Sequence, residues 1–144
     1  RDWGHAKDYV EMMWMMLQQE KPVDFVISSG RQESIRKFIE LTAKELQWGA
    51  ILWEGEGINE IGRRKDTKEI VIKIDKRYFR PTEVDSLLGD PKLAKVKLGW
   101  EAKITLEEMV SEMVKVDKEE AEKELILLKS GFKINCSNEQ PPNI

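Results

Sequence analysis

Ile58-Asn59-Glu60-Ile61-Gly62-Arg63-Arg64-Lys65-Asp66-Thr67-Lys68-Glu69-Ile70-Val71-Ile72-Lys73-Ile74 carries the strand signal of this chain. Ile70, Ile72 and Ile74 alternate with Val71 and Lys73, the two-residue period of a strand. The charged stretch from Gly62 to Lys68 separates this run from Ile58 to Ile61. The spacing predicts a hairpin of strands 58–61 and 69–74 with a solvated tip. Helical patterns lie on either side of it. The fold class is therefore α/β, with short strands between helices.

Towards the N-terminus, Ile51-Leu52-Trp53 reads as one more short strand, preceded by a helix that Gly49 ends. That helix carries Ile35, Phe38, Ile39, Ala43 and Leu46 on one face, with Ser34 as its N-cap. Asp24-Phe25-Val26-Ile27-Ser28 is short and β-branched, bounded by Pro22 and Gly30, and predicts a buried strand. From Ala6 to Gln19, Val10, Met13, Trp14 and Leu17 recur at helical spacing. Asp8 suits the start of that helix and Pro22 marks its stop. Met12, Met13, Met15 and Met16 spread round more than one face, which predicts core packing plus a second contact surface.

Towards the C-terminus, Pro91 opens a short helix through Lys97, closed by Leu98-Gly99-Trp100. Thr105 with Glu108 forms a capping box for a helix bearing Leu106, Met109, Val110, Met113 and Val114. A further helical segment is expected over 118–129, and a disordered tail over 135–144. Residues 1–134 read as one compact unit, with no internal repeat and no linker.

A chain of 144 residues can bury a real core without metal or disulfide staples. Its net charge of −3 lacks the broad basic face that nonspecific DNA binding requires, and no apolar run approaches membrane-spanning length, so neither nucleic acid nor membrane is an expected partner. A lone Cys136 forms no internal disulfide, and a cytoplasmic location is the default. The opening Arg1-Asp2-Trp3-Gly4-His5, without Met or an apolar leader, is read as the sign of a longer polypeptide.

The residues of a free-standing enzyme are not in this sequence, and no catalytic, cofactor or metal site is assigned. Gly55-Glu56-Gly57 offers too few glycines for a dinucleotide loop. One His and one Cys, far apart, give no metal ligand cluster. His5 reads as a hydrogen-bonding residue at a helix start rather than a general base. Cys136 reads as incidental, and Asn135-Cys136-Ser137 carries no weight as a glycosylation site. Arg63-Arg64-Lys65 reads as a solvated turn.

The run Arg77-Tyr78-Phe79-Arg80-Pro81-Thr82-Glu83-Val84-Asp85 is different in kind. Arg80 can fork onto phosphate oxygens, and Glu83 can accept hydrogen bonds from sugar hydroxyls. Together they suit a nucleotide with a pyrophosphate and a ribose. On spacing alone, a plain surface arginine before a turn proline remains equally open.

Three words of sequence carry a resemblance. Arg1-Asp2-Trp3-Gly4-His5-Ala6-Lys7-Asp8-Tyr9-Val10, the Tyr78–Asp85 run, and Leu87-Leu88-Gly89-Asp90-Pro91 with Leu98-Gly99-Trp100 resemble the GDP-mannose 4,6-dehydratases. These are extended short-chain dehydrogenase/reductase proteins, and the resemblance covers about residues 1–116. It implies a small C-terminal substrate-binding lobe without the Rossmann domain. In the complete enzyme, bound NADP would oxidise C4 of GDP-mannose, water would leave across C5–C6, and the hydride would return at C6, giving GDP-4-dehydro-6-deoxy-mannose for GDP-fucose synthesis. The family's Gly-rich loop and Tyr-x-x-x-Lys pair have no counterpart here, so the chain alone is expected to be inactive and to hold no cofactor.

By the same resemblance, Arg80 faces the pyrophosphate, Glu83 the ribose hydroxyls, and Arg1 the nucleotide phosphates. Expected partners are GDP-mannose, the missing Rossmann half, and a second copy through the uncovered interface. Ser28-Ser29-Gly30-Arg31-Gln32-Glu33-Ser34 departs from the family pattern, though Ser34-Ile35-Arg36 keeps its helix start. The stretch after Val116 departs more and reads as an extension peculiar to this chain. A stand-alone nucleotide-sugar binding or scaffolding module, or a folded remnant, are the alternatives.

Overall fold

The computed structural model describes residues 1–80, 82, 84 and 86–134; the expected tail over 135–144 lies outside them. Helix α1 spans Ala6–Leu17, and His5 caps it by accepting from the Lys7 amide on Nδ1 at 3.1 Å. Helix α2 spans Ile35–Glu45, with the Ser34 hydroxyl accepting from the Lys37 amide at 3.0 Å. Both begin where a side-chain acceptor satisfies an N–H that has no partner within the helix. Three strands follow: β1 (Ile51–Glu54), β2 (Ile61–Arg64) and β3 (Ile70–Lys73). They form an antiparallel sheet in the order β1-β2-β3. Helices α3 (Lys92–Leu98) and α4 (Leu106–Lys129) complete the described chain. The result is a small α/β unit of four helices and a three-stranded sheet.

The hairpin is real but shifted. Residues 57–59 form a single 3-10 turn, so the strand begins at Ile61 and runs on through Arg63 and Arg64. Alternation could not reveal this, because Ile-Gly-Arg-Arg is not an apolar pattern. The arginines stay in the strand because carboxylates meet their forks: Arg63 pairs with Glu54 at 3.0 Å and Arg64 with Asp66 at 2.7 Å. Gly62 stands opposite both Trp53 and Ile72. A Cβ there would sit 2.9 Å from Ile72 Cγ1 and 3.1 Å from Ile51 Cγ2, so the middle strand requires glycine.

The strand predicted at 24–28 does not form. The backbone belongs to no strand, although Phe25 and Ile27 still turn inward against the buried cluster of Met12, Ala94 and Trp100. A strand needs a neighbour to take its N–H and C=O groups, and no described segment supplies one. Two further boundaries differ. Helix α2 ends at Glu45, and Gly49 (φ 76°) lies in the turn before β1. The two helical segments expected after Thr105 are one continuous helix, begun by the Thr105–Glu108 capping box.

Trp100 ties the helices together. It is buried, and its indole N–H donates to the Asp8 carbonyl at 3.0 Å. The Asp8 carboxylate is buried too and accepts from the amides of Lys103 and Ile104 at 3.0 and 2.9 Å. Among the four neighbouring methionines of α1, Met12 is fully buried and Met15 and Met16 pack against the core. Met13 and Trp14 stand in solvent.

Candidate functional site

A cleft of about 860 Å³ opens between α2, the sheet and the segment after β3. Arg1 and Arg80, far apart in the chain, both line it. Glu83 lies outside the described residues. The segment after β3 also contributes Arg77, Tyr78 and Phe79; β3 adds Ile72 and Lys73, β1 adds Trp53, and α2 adds Arg36.

Arg1 reaches the cleft because its backbone is clamped. Its amino nitrogen donates to the Glu33 carbonyl at 2.7 Å, and the Glu33 amide donates back to the Arg1 carbonyl at 2.9 Å. The adjacent Asp2 carboxylate accepts from the amides of Ser29 and Gly30 at 2.8 and 3.0 Å. Gly30 sits at φ 70°, where a side chain would be strained. The loop at Ser29 and Gly30 thus positions Arg1.

On the opposite wall, Arg36 is ion-paired with Glu60 and lies 5.3 Å from the Trp53 ring centre. The Trp53 indole in turn donates to Glu40 at 3.3 Å. Guanidinium, aromatic face and two carboxylates hold one another in place. Arg77 forks onto Asp75, with Nη2 at 2.5 Å from Oδ2, and stacks 5.6 Å from the Tyr78 ring. That hydrogen bond pulls the Asp75 carboxyl down to about 2.

The arrangement is a cationic trough with aromatic walls, of a size suited to a small ligand. It can grip phosphate oxygens and cover planar rings. Its described lining includes no His, Cys, Ser or Thr. His5 lies elsewhere: its Nε2 faces Glu112 at 3.3 Å while Nδ1 caps α1. At Gly55 (φ 79°) a Cβ would meet the Asn59 carbonyl at 2.5 Å, so the turn leading into the 3-10 segment needs glycine there. Among the described residues, no group of three His, Cys, Asp or Glu could hold a metal ion, and no helix is long and apolar enough to cross a membrane.

Arg36, Trp53, Glu60 and Lys73 were not legible as site residues. Only the β1-β2-β3 register and the seating of α2 bring them beside Arg1 and Arg80. Arg77 and Tyr78 lay inside the signature run, where their aromatic and cationic character was the available signal.

Residues 1–113 match the family model described as GDP-mannose 4,6 dehydratase. A GDP-mannose 4,6-dehydratase of Vibrio cholerae serotype O1 is 50% identical over 150 residues, covering 96% of this chain and 40% of the relative. The GDP-mannose 4,6 dehydratase of Dictyostelium discoideum is 50% identical over 94% of this chain and 36% of its own length. The human protein of that name is 50% identical over 83% of this chain and 32% of its own length. The chain therefore spans 32% to 40% of these relatives. Coverage of 96% also carries the bacterial match well past residue 116, so that stretch is not peculiar to this chain.

Proposed function

The chain belongs to the GDP-mannose 4,6-dehydratase family, and on that premise we propose that it forms the nucleotide-sugar-binding portion of such an enzyme. The observation that carries this reading is the cleft that gathers Arg1 and Arg80 with Arg36, Lys73 and Arg77. In it, Arg80 and Arg1 grip the pyrophosphate of GDP-mannose, Arg77 and Lys73 add positive potential, and Trp53 and Tyr78 wall the planar and sugar rings. Glu83, by family resemblance, takes the ribose hydroxyls.

The fold is read as the substrate-binding lobe of an extended short-chain dehydrogenase/reductase. NADP, when bound to the complete enzyme, supplies hydride transfer, and it is held by residues other than these. The present residues bind and orient the nucleotide sugar; they carry no proton at the reacting carbons. The chain alone is therefore inactive as a dehydratase.

Calorimetric titration with GDP-mannose tests the site. A charge-assisted hydrogen bond is worth about 1.5–3 kcal/mol, so Arg80→Ala weakens binding roughly tenfold or more. Glu83→Ala weakens it less. Identical heats for wild type and Arg80→Ala would sink the assignment.

A further inference from the structure

The loop between Ser28 and α2 is tied to the start of the chain at several points. Asp2 takes the amides of Ser29 and Gly30, and Glu33 exchanges two hydrogen bonds with the Arg1 backbone. Gln32 stands inside that loop but bonds elsewhere. Its Oε1 accepts from the Ser86 hydroxyl at 2.8 Å and from the Leu87 amide at 3.2 Å, across 54 and 55 residues of sequence. The same two segments abut at further points. A Cβ on Gly89 would lie 2.4 Å from the Ser28 Cβ, and one on Gly30 would lie 3.5 Å from the Pro91 Cδ. Segments 28–32 and 86–91 therefore run side by side, and Gln32 hydrogen-bonds across the seam.

Ser86 follows Arg80 in the chain at a short remove. On the other side of Arg80, Arg77 forks onto the Asp75 carboxylate and the Tyr78 amide donates to the Asp75 carbonyl at 3.1 Å. Arg80 is thus carried on a segment pinned both before and after it, and the later pin is the loop that holds Arg1. Gln32, Ser86 and Leu87 are not among the described lining of the cleft, so they act on it only through the backbone. A pinned segment gives up less freedom when it grips a ligand. A grip made by two cations also depends on the span between them. We propose that Gln32 is a positioning residue of the nucleotide-sugar site, which sets the span between Arg1 and Arg80 to that of a pyrophosphate. The inference rests on the reading that these two arginines grip the pyrophosphate of GDP-mannose, and it adds the brace between them and a consequence for ligand choice. A diphosphate ester engages both arginines, whereas a monophosphate engages one. Loosening the brace therefore weakens the diphosphate more.

The test titrates the chain and its Gln32 variants calorimetrically with GDP-mannose and with GMP. Gln32→Ala is expected to weaken GDP-mannose about fivefold and GMP less than about twofold, with the thermal midpoint unchanged. Both contacts use an oxygen acceptor, so Gln32→Glu keeps them and should hold GDP-mannose binding within about twofold of wild type. In the free protein, exchange at the Leu87 amide should quicken in Gln32→Ala and return to the wild-type rate in Gln32→Glu. Unchanged Leu87 exchange, equal losses for the two ligands, or no rescue by Gln32→Glu overturns the proposal. Arg80→Ala tells the two readings apart. If it weakens GDP-mannose while Gln32→Ala does not, the brace alone fails. If the wild-type chain binds no GDP-mannose, or binds it indifferently to Arg80→Ala, the site fails and the brace with it.

Discussion

Asp8 shows how one side chain can join distant parts of a small fold. Its carboxylate accepts from two amides at 103 and 104, and its carbonyl accepts from the Trp100 indole. Removing it leaves two largely enclosed N–H groups without an acceptor. Asp8→Ala is expected to lower stability by about 3 kcal/mol, and Asp8→Asn by less, because one oxygen remains. Urea denaturation measures both; equal, small losses would contradict the role. Asp75 is a second residue with a readable signature. Its folded-state value is depressed from 3.8 to about 2, chiefly by the Arg77 hydrogen bond. The pair's contribution is complete above the unfolded value and is lost as pH falls through about 2. NMR of the Asp75 carboxyl carbon should give a midpoint near 2, rising towards 3.8 in Arg77→Ala. A wild-type midpoint already at 3.8 would refute the pairing.

Among the elements, α4 divides into two parts. Its first turns are capped by Thr105 and Glu108 and bury Met109 and Val110, while Leu125 to Leu128 remain exposed. Thr105→Ala should cost about 1 kcal/mol in a thermal or urea melt. Deleting everything after residue 116 should reduce helix content yet leave the melting temperature within a few degrees. A steep fall would show that the distal turns pack on something after all. The caps at Ser34 and at Thr105–Glu108 were legible because a cap is written within four residues. The strand at 24–28 was misjudged for the opposite reason. Its β-branched residues do give an alternating, half-buried peptide, but a strand is defined by a neighbour that no local pattern can supply. The hairpin was legible in kind and not in register, since the 3-10 turn over 57–59 takes up Ile58 and Asn59, which hydrophobicity alone assigns to the strand.

At the scale of the molecule, the cleft is a property of the assembly. Arg80 could be singled out from its proline-stiffened run and Arg1 from its family word, but positions 36, 53, 60 and 73 meet them only through folding. Because its polar lining is mostly cationic, the affinity for GDP-mannose should fall steadily as sodium chloride is raised. Calorimetry at several ionic strengths would reveal this, and a salt-independent affinity would argue that the aromatic walls dominate. The Asp2 clamp gives the assembly a further property. Arg1 in the cleft, Asp2 beside it, and the amides of Ser29 and Gly30 form one short mechanical chain. A ligand that draws the Arg1 guanidinium tight must also steady Asp2. Slowed hydrogen exchange at Ser29 and Gly30 then becomes a remote gauge of occupancy, read from amides that line no part of the cleft.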